Sequence, residues 1–521
     1  MDAIETEADR RGHGYGAMME RAGRAVAREV AALLGADGPH ERLPIALVLC
    51  GPGNNGGDGL VAAAELARAH IVVRVVTWAR RLDHLVAEAE TLGAALMAID
   101  TAEAESRYGD TLDDWIREAD IVVDALLGTG ANRPLEGVVA ALLDRVAAAR
   151  PPLVIAVDVP TGVDADRGTL DAHTVAADRT VTFGCAKPGH VTFPGAAAVG
   201  RLVVDEIGID PSIIAAAVAP PLGIVTAADV AAWLPARPAD GHKGTFGCAL
   251  VVAGSRAYPG AAALAAAAAY RTGCGRVTVA APADVRAVVA AHVREATYVP
   301  LPEVHGGISA AAAGMVRDAW LHYDAVLIGP GLSQERGVAA FFRELLDGLS
   351  DLVEDARPNR LVVDADGLNL LATQPAGPRA LPVGAVLTPH PGEMARLTGL
   401  DAATVNADRV GVARGAAAEW RHVIVLKGAH TVVAAPDGRC AVVPIATAAL
   451  ATAGTGDVLA GLIVGLLAGG ADAFEAAAAA VYAHGTAGLR VAAGPGGDRA
   501  AVAGDIIDQI GPVWREIEVS T

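Results

Sequence analysis

Short apolar runs rich in valine and isoleucine alternate along the chain with longer segments in which apolar residues recur every three or four positions. Between Ile45 and Asp205 the runs read IALVLC, IVVRVV, DIVVDAL, LVIAVDV and RTVTFG, separated by stretches such as GLVAAAELARA and EGVVAALLDRVAAA. The first kind fits strands buried on both faces, and the second fits helices with one apolar side. Their alternation predicts parallel strands joined by crossover helices, a doubly wound α/β sheet. A preceding helix, YGAMMERAGRAVAREVAALL, would pack on that sheet. Prolines then cluster in DPSIIAAAVAPPLGIVTAADVAAWLPARPADGHKG, after which the alternation restarts with CALVVAG, GRVTVAA, DAVLIGPG, RLVVDADG, AVLTPHPGE and HVIVLKG. A chain of 521 residues is too long for one ordinary core. Two α/β domains are therefore expected, residues 1–215 and 216–521, each with its own sheet.

Composition narrows the function classes. The formal net charge of -19 disfavours nucleic acid as a general partner, because phosphate backbones demand basic surface. No apolar run approaches the length of a membrane span, and the N-terminus lacks the basic start and apolar core of a signal peptide, so a cytoplasmic protein is expected. The cysteines Cys50, Cys185, Cys248, Cys274 and Cys440 are scattered and odd in number, which supports neither a disulfide framework nor a zinc site. Of 41 basic residues only Lys187, Lys243 and Lys427 are lysine, in CAKPGH, GHKGTFG and LKGAH. A lysine in a glycine loop is a compact, mobile charge suited to phosphate. Lys243 and Lys427 are read that way, while Lys187 fits chance retention equally well.

The stretch LCGPGNNGGDGLVAAAELARA runs from a strand through glycines into a helix, which brings backbone N–H groups to the carboxyl edge of the sheet. Asp58 in it is either a helix N-cap or part of a site. GxGxxG is absent, so ordinary dinucleotide binding by this loop is disfavoured. Two further strand ends reach the same edge. VVDALLGTGANRP presents Asp124 and a second glycine turn, and AVDVPTGVDAD presents Asp158 and then Thr161. Either aspartate alone fits a solvated strand end. Together with Asn55 they form an oxygen-rich cluster of a kind that suits a large monovalent cation better than magnesium.

NNGGD, VDALLGTGANRP, DVPTGVDAD and TFGCAKPGH, in that order and spacing, resemble the N-terminal epimerase domain of the bifunctional NAD(P)H-hydrate repair enzymes. The resemblance implies a Rossmann-like domain that interconverts the R and S hydrates of NADH and NADPH. It implies potassium held by Asn55, Asp124 and Thr161, and substrate along Asn54, Asn55, Gly56, Gly57 and Asp58. Gly128, Thr129, Gly130, Ala131, Asn132, Arg133 and Pro134 would complete the binding surface, with Asp158 at the reacting carbon.

The second half carries LATAGTGDVLAGLIVGLLAG, a glycine turn before a long helix with Asp457 at its start. Asp457 is either a simple N-cap or a carboxylate beside an anion-binding turn, as a base for a hydroxyl attacking phosphorus must be. GxxxxGK[ST] is absent, which excludes a P-loop. With HKGTFG, VVAGSRAYPGAA, LIGPGL, LVVDADGLN, LTPHPGEMARL and VLKGAHTVV, this segment resembles the ADP-dependent NAD(P)H-hydrate dehydratases of the ribokinase-like superfamily. The resemblance implies ADP bound by Lys427, Gly428, Ala429, His430, Thr431 and Gly456. It places the hydrate against Ala253, Gly331, His390 and Asp457, with Asp457 as base and Mg2+ accompanying the nucleotide. It also implies a homo-oligomer whose partners are small molecules. Thr447 and Ala448 stand where many relatives carry Asn-Pro, and Ser333 where glycine is frequent, which bears on nucleotide contacts only. Two rival readings remain at this stage: a ribokinase-like kinase for a small alcohol such as a vitamin precursor, fused to a nucleotide-binding domain, and a non-enzymatic binding scaffold.

Overall fold

The computed structural model describes residues 1–35, 42–81, 83–131, 133–217, 222–349 and 360–519. The chain divides into two units, Met1–Ala219 and Pro220–Thr521.

In the first unit seven strands form one sheet: β1 (Ile45–Cys50), β2 (Val72–Thr77), β3 (Ala95–Ala98), β4 (Ile121–Ala125), β5 (Val154–Val157), β6 (Arg179–Phe183) and β7 (Arg201–Asp205). Their order is β3-β2-β1-β4-β5-β6-β7, all parallel. The doubly wound expectation holds. The chain leaves β1 toward one edge and returns to start β4 on its other side, so the helices after β1 and β4 part and leave a crevice between those strand ends. Both faces of the sheet are covered by apolar side chains. Val26, Val30, Leu60 and Leu66 from the helices Tyr15–Leu34 and Asn54–Arg68 pack on one face, and Leu112, Ile116, Leu142 and Leu143 belong to the core on the other.

The second unit contains β8 (Gly223–Ile224), β9 (Cys248–Val252), β10 (Arg276–Pro282), β11 (Thr297–Leu301), β12 (Glu303–Val304), β13 (Gly307–Ile308), β14 (Ala325–Ile328), β15 (Leu361–Val363), β16 (Val386–Leu387), β17 (Val423–Leu426), β18 (Thr431–Ala434) and β19 (Cys440–Val443). Ten of them form a sheet in the order β11-β10-β9-β14-β15-β16-β17-β18-β19-β8, and β12 pairs with β13 as a separate ribbon. The sheet is parallel from β11 to β17, and again between β19 and β8. Its β17-β18-β19 portion is antiparallel. The second sheet is thus mixed. Residues 427–430 are too few for a crossover, so the chain turns back as a hairpin. The core is largely small residues. Ala265 and Ala269 of the helix Pro259–Arg271 lie against Gly461 and Gly465 of the helix Thr455–Ala468.

Candidate active sites

The crevice between β1 and β4 is built on backbone packed against backbone. A Cβ on Gly51 would run into the Leu126 carbonyl, and one on Gly56 into the Gly51 carbonyl, so neither position tolerates a side chain. The helix begins earlier than a glycine loop implies, at Asn54, with Gly53 as N-cap and no side-chain cap. Its leading N–H groups are therefore open toward the crevice. Asp58 is not the N-cap. It sits inside the helix, buried, and burial first, then the charge of Asp158, pushes its carboxyl well above the usual range. Arg80, which the sequence reading passed over, holds the preceding turn by donating to the Gly51 and Gly53 carbonyls at 3.1 Å and to Asp83 at 2.8 Å.

Asp158 follows β5 in a left-handed backbone conformation, φ 63°, rare for a residue with a side chain. Lys187 Nζ donates to Asp158 Oδ1 at 2.6 Å, to Thr182 Oγ1 at 2.7 Å and to the Phe183 carbonyl at 3.0 Å. Thr182 Oγ1 donates to the same Asp158 oxygen at 2.9 Å. Burial alone would raise the carboxyl, but the Lys187 charge and these hydrogen bonds hold it below its ordinary value. Asp158 is thus an ionised, buried acceptor. His190 fixes the loop: the Lys187 N–H donates to its Nδ1 at 3.1 Å, so Nε2 carries the proton and donates to the Asp158 carbonyl at 2.8 Å. Burial, then the Lys187 charge, pushes the ring to about 4, which keeps it neutral. Lys187 is not the mobile charge that a glycine-loop lysine suggests: its ammonium is buried and held by three acceptors. His190 and Thr182 were missed, and the only signal was the spacing of the lysine and histidine in KPGH.

The cation candidates divide into a tight pair and a neighbour. Thr161 donates to Asp124 from its backbone N–H at 2.8 Å and from Oγ1 at 2.7 Å. Asp124 is raised by burial against these bonds. The Asn55 amide is buried with neither Oδ1 nor Nδ2 partnered. A Cβ on Gly128 would lie 3.2 Å from Asn55 Oδ1 and 3.3 Å from Asp158 Oδ2, so the second glycine turn closes directly over both side chains. A cavity of about 350 Å³ opens there, lined by Asn54, Asn55, Asp58, Asp158, Lys187 and the turn that includes Gly128, Thr129, Gly130 and Ala131. Arg133 and Pro134 are exposed beyond it, and Asn132 lies outside the described residues.

In the second unit the strand ends bring together what the motifs separate. The turns after β9 and β14 are joined by the Gly254 N–H donating to the Pro330 carbonyl and Ser255 Oγ donating to the Gly331 carbonyl, both at 2.8 Å, which sets Ala253 and Gly331 side by side. Lys427, after β17, donates to Asp364 Oδ1 at 2.7 Å and lies 3.9 Å from Glu393. Burial opposes its charge, yet Asp364 and Glu393 leave its pKa raised. A Cβ on Gly456 would be 3.6 Å from Lys427 Nζ, so the KGAHT turn and the AGTGD turn meet at this ammonium.

The helix Thr455–Ala468 has Gly454 as N-cap in a left-handed conformation and no side-chain cap. Asp457 therefore does not cap it. Burial first, then the charge of Asp364, pushes its carboxyl up to about 7. His390 is the N-cap of the helix Pro391–Thr398. Its Nδ1 accepts from the Gly392 N–H at 3.0 Å, while Glu393 Oε2 accepts from the His390 N–H at 2.8 Å. Its Nε2 lies 3.6 Å from Glu393 Oε1, so both ring nitrogens face the start of this helix. Asp364 and Glu393 were missed as site residues. The capping-box spacing of HPGE was the available signal for the second.

Among known proteins, residues 249–510 match the family described as NAD(P)H-hydrate dehydratase, and residues 16–189 match that of the YjeF-related protein N-terminus. A bifunctional NAD(P)H-hydrate repair enzyme of Moorella thermoacetica is 39% identical over 509 residues, covering 96% of this chain and 92% of its own length. The Escherichia coli enzyme of the same name is 33% identical over 468 residues, covering 89% and 84%. An ADP/ATP-dependent NAD(P)H-hydrate dehydratase of Bacillus subtilis, crystallised with ATP and Mg2+, is 33% identical with a TM-score of 0.48, covering 58% of this chain and 100% of that one. A two-domain α/β chain matched over nearly its whole length by repair enzymes is itself an enzyme. The chain belongs to the family of bifunctional NAD(P)H-hydrate repair enzymes.

Proposed function

We propose that the first unit, residues 1–215 in the sequence reading, epimerises the hydrates of NADH and NADPH, and that the second, 216–521, dehydrates the S epimer while converting ADP to AMP and phosphate. The observation that carries this is the match to both families in one chain, with an ionised acceptor in one crevice and a raised carboxyl in the other.

In the epimerase site Asp158 accepts the proton of the substrate hydroxyl as the neighbouring carbon–nitrogen bond opens to an aldehyde, its electron pair taken up by the amide-conjugated nitrogen, and returns it when the ring closes on the other face, with Lys187 compensating the charge and Thr182 orienting the carboxylate. Asn54 to Asp58 and Gly128 to Pro134 bind the substrate. Asn55, Asp124 and Thr161 would hold potassium, and the buried, unpartnered Asn55 oxygen suits it. When bound, the cation offsets the negative charge of its surroundings.

In the dehydratase site Lys427 to Thr431 and Gly456 would bind ADP, and Mg2+ arriving with the nucleotide would supply neutralisation of phosphate charge. Ala253, Gly331 and His390 hold the hydrate. Asp457 takes the hydroxyl proton as that oxygen attacks the β-phosphorus, and the bond from phosphorus to the bridging oxygen breaks to release AMP. Loss of phosphate from the phosphorylated carbinolamine, followed by loss of a proton from the adjacent ring carbon, restores the dihydropyridine, because phosphate leaves far more readily than hydroxide. A cytoplasmic homo-oligomer completes the reading. Incubation with chemically hydrated NADH and ADP should restore dihydropyridine absorbance. A kinase or scaffold would restore none, and that result would overturn the proposal.

A further inference from the structure

The epimerase crevice has a neighbour. A second cavity of about 340 Å³ shares Glu5, Asn54, Asp58 and Phe183 with the first as a common wall. Its remaining lining is Tyr15, Met18, Met19, Ala22 and Ile207. The first four of these fall at i, i+3, i+4 and i+7 of the helix Tyr15–Leu34, one face of one helix. Packing that face wholly against the sheet would leave no cavity, yet Tyr15 remains 44% exposed beside it.

We propose that this second cavity receives the adenine half of the dinucleotide hydrate. The inference rests on the epimerase reading and adds a subsite to it. Size is the first argument. Each cavity is at the low end of those that enclose a small ligand, and a dinucleotide is two nucleotides joined through a pyrophosphate. Division of labour is the second. Asp158 and Lys187 line only the first cavity, so the hydrated ring occupies that one and the adenylate lies elsewhere. Surface chemistry is the third. Two thioethers and two aromatic rings give a soft, polarisable lining for a flat heteroaromatic base, and the carboxyl groups of Glu5 and Asp58 can accept from its exocyclic amine. The connection is the fourth. Asn54, in the wall, is the first residue of a helix whose leading N–H groups have no side-chain cap, where a pyrophosphate crossing between the cavities would pass.

The test uses the full chain without ADP, so that only epimerisation is measured, by chromatographic separation of R and S hydrates. Two substrates are compared: the R hydrate of NADH, and that of reduced nicotinamide mononucleotide, which lacks the adenylate. Wild type should favour the dinucleotide in kcat/KM by about tenfold or more, through KM, as expected for binding away from the reacting carbon. Ala22→Trp or Met18→Trp, which fill the cavity, should raise KM for the dinucleotide by about tenfold and bring the preference close to parity. If the tryptophan variants do not fold, Met18→Ala and Met19→Ala remove contacts without adding bulk, and about a threefold loss of preference is expected. Equal handling of both hydrates by wild type would overturn the subsite, as would folded variants that keep the wild-type preference. A wild type that epimerises neither hydrate sinks the epimerase reading itself.

Discussion

Asp457 sits within the influence of Asp364, Asp366 and Lys427, and burial dominates all three. Its ordinary value is 3.8 and its folded value about 7, so the folded protein holds a proton there that the unfolded chain has lost. Stability is therefore lost as pH rises through that window. Asp457→Asn should melt higher than wild type at pH 8, by at most ~2–4 °C for each kcal/mol relieved, and close to wild type at pH 3. The same variant should dehydrate the hydrate about 10²- to 10⁴-fold more slowly, because an amide accepts no proton. A higher melting point with undiminished turnover would remove Asp457 from the mechanism. Asp364→Asn removes a charge that raises Asp457, so the acid limb of kcat/KM should move to lower pH. An unmoved limb would mean that another group is titrating.

Helices and strands were legible wherever apolar periodicity was strong, and least where packing replaces hydrophobicity as the signal. The strands β1, β4, β5 and β6 were recognisable as buried runs, whereas β3, with its sequence ALMA, carries no β-branched residue and passes for helix or loop. The hairpin of β17 and β18 hid for another reason. Its turn is KGAHT, residues read for their chemistry rather than their length. In the sites, glycine turns and strand-end carboxylates stood out, but partners did not. Lys187 reaches Asp158 across 29 positions, Lys427 reaches Asp364 across 63, and no local pattern specifies either. The helix Pro259–Arg271 is almost all alanine and offers little pattern to read, yet its small residues let it approach Gly461, where an added Cβ would strike the Ala265 carbonyl. Gly461→Leu should cost ~1–3 kcal/mol or more of stability in the second unit, seen as a lowered unfolding midpoint. An unchanged midpoint would mean that the two helices do not pack this closely.

For the whole chain, two activities in one molecule make each unit a reporter on the other. Hydrated NADH is a mixture of epimers at one carbon, and the dehydratase of the proposed scheme accepts only the S form. With a working epimerase, ADP-driven recovery of absorbance should consume the whole mixture in one phase. Asp158→Asn weakens the Lys187 pair, and Asn55→Ala removes the unpartnered amide. Both changes lie in Met1–Ala219, whereas the dehydratase residues lie in Pro220–Thr521, with a core of their own. Recovery in either variant should therefore become biphasic. The S epimer disappears at the wild-type rate, and the remainder follows at the rate of uncatalysed epimerisation, with potassium no longer accelerating it. A single wild-type phase in both variants would show that the crevice between β1 and β4 binds something other than the hydrate and its cation. A uniformly slowed first phase would instead show that the two units do not act as separable catalysts.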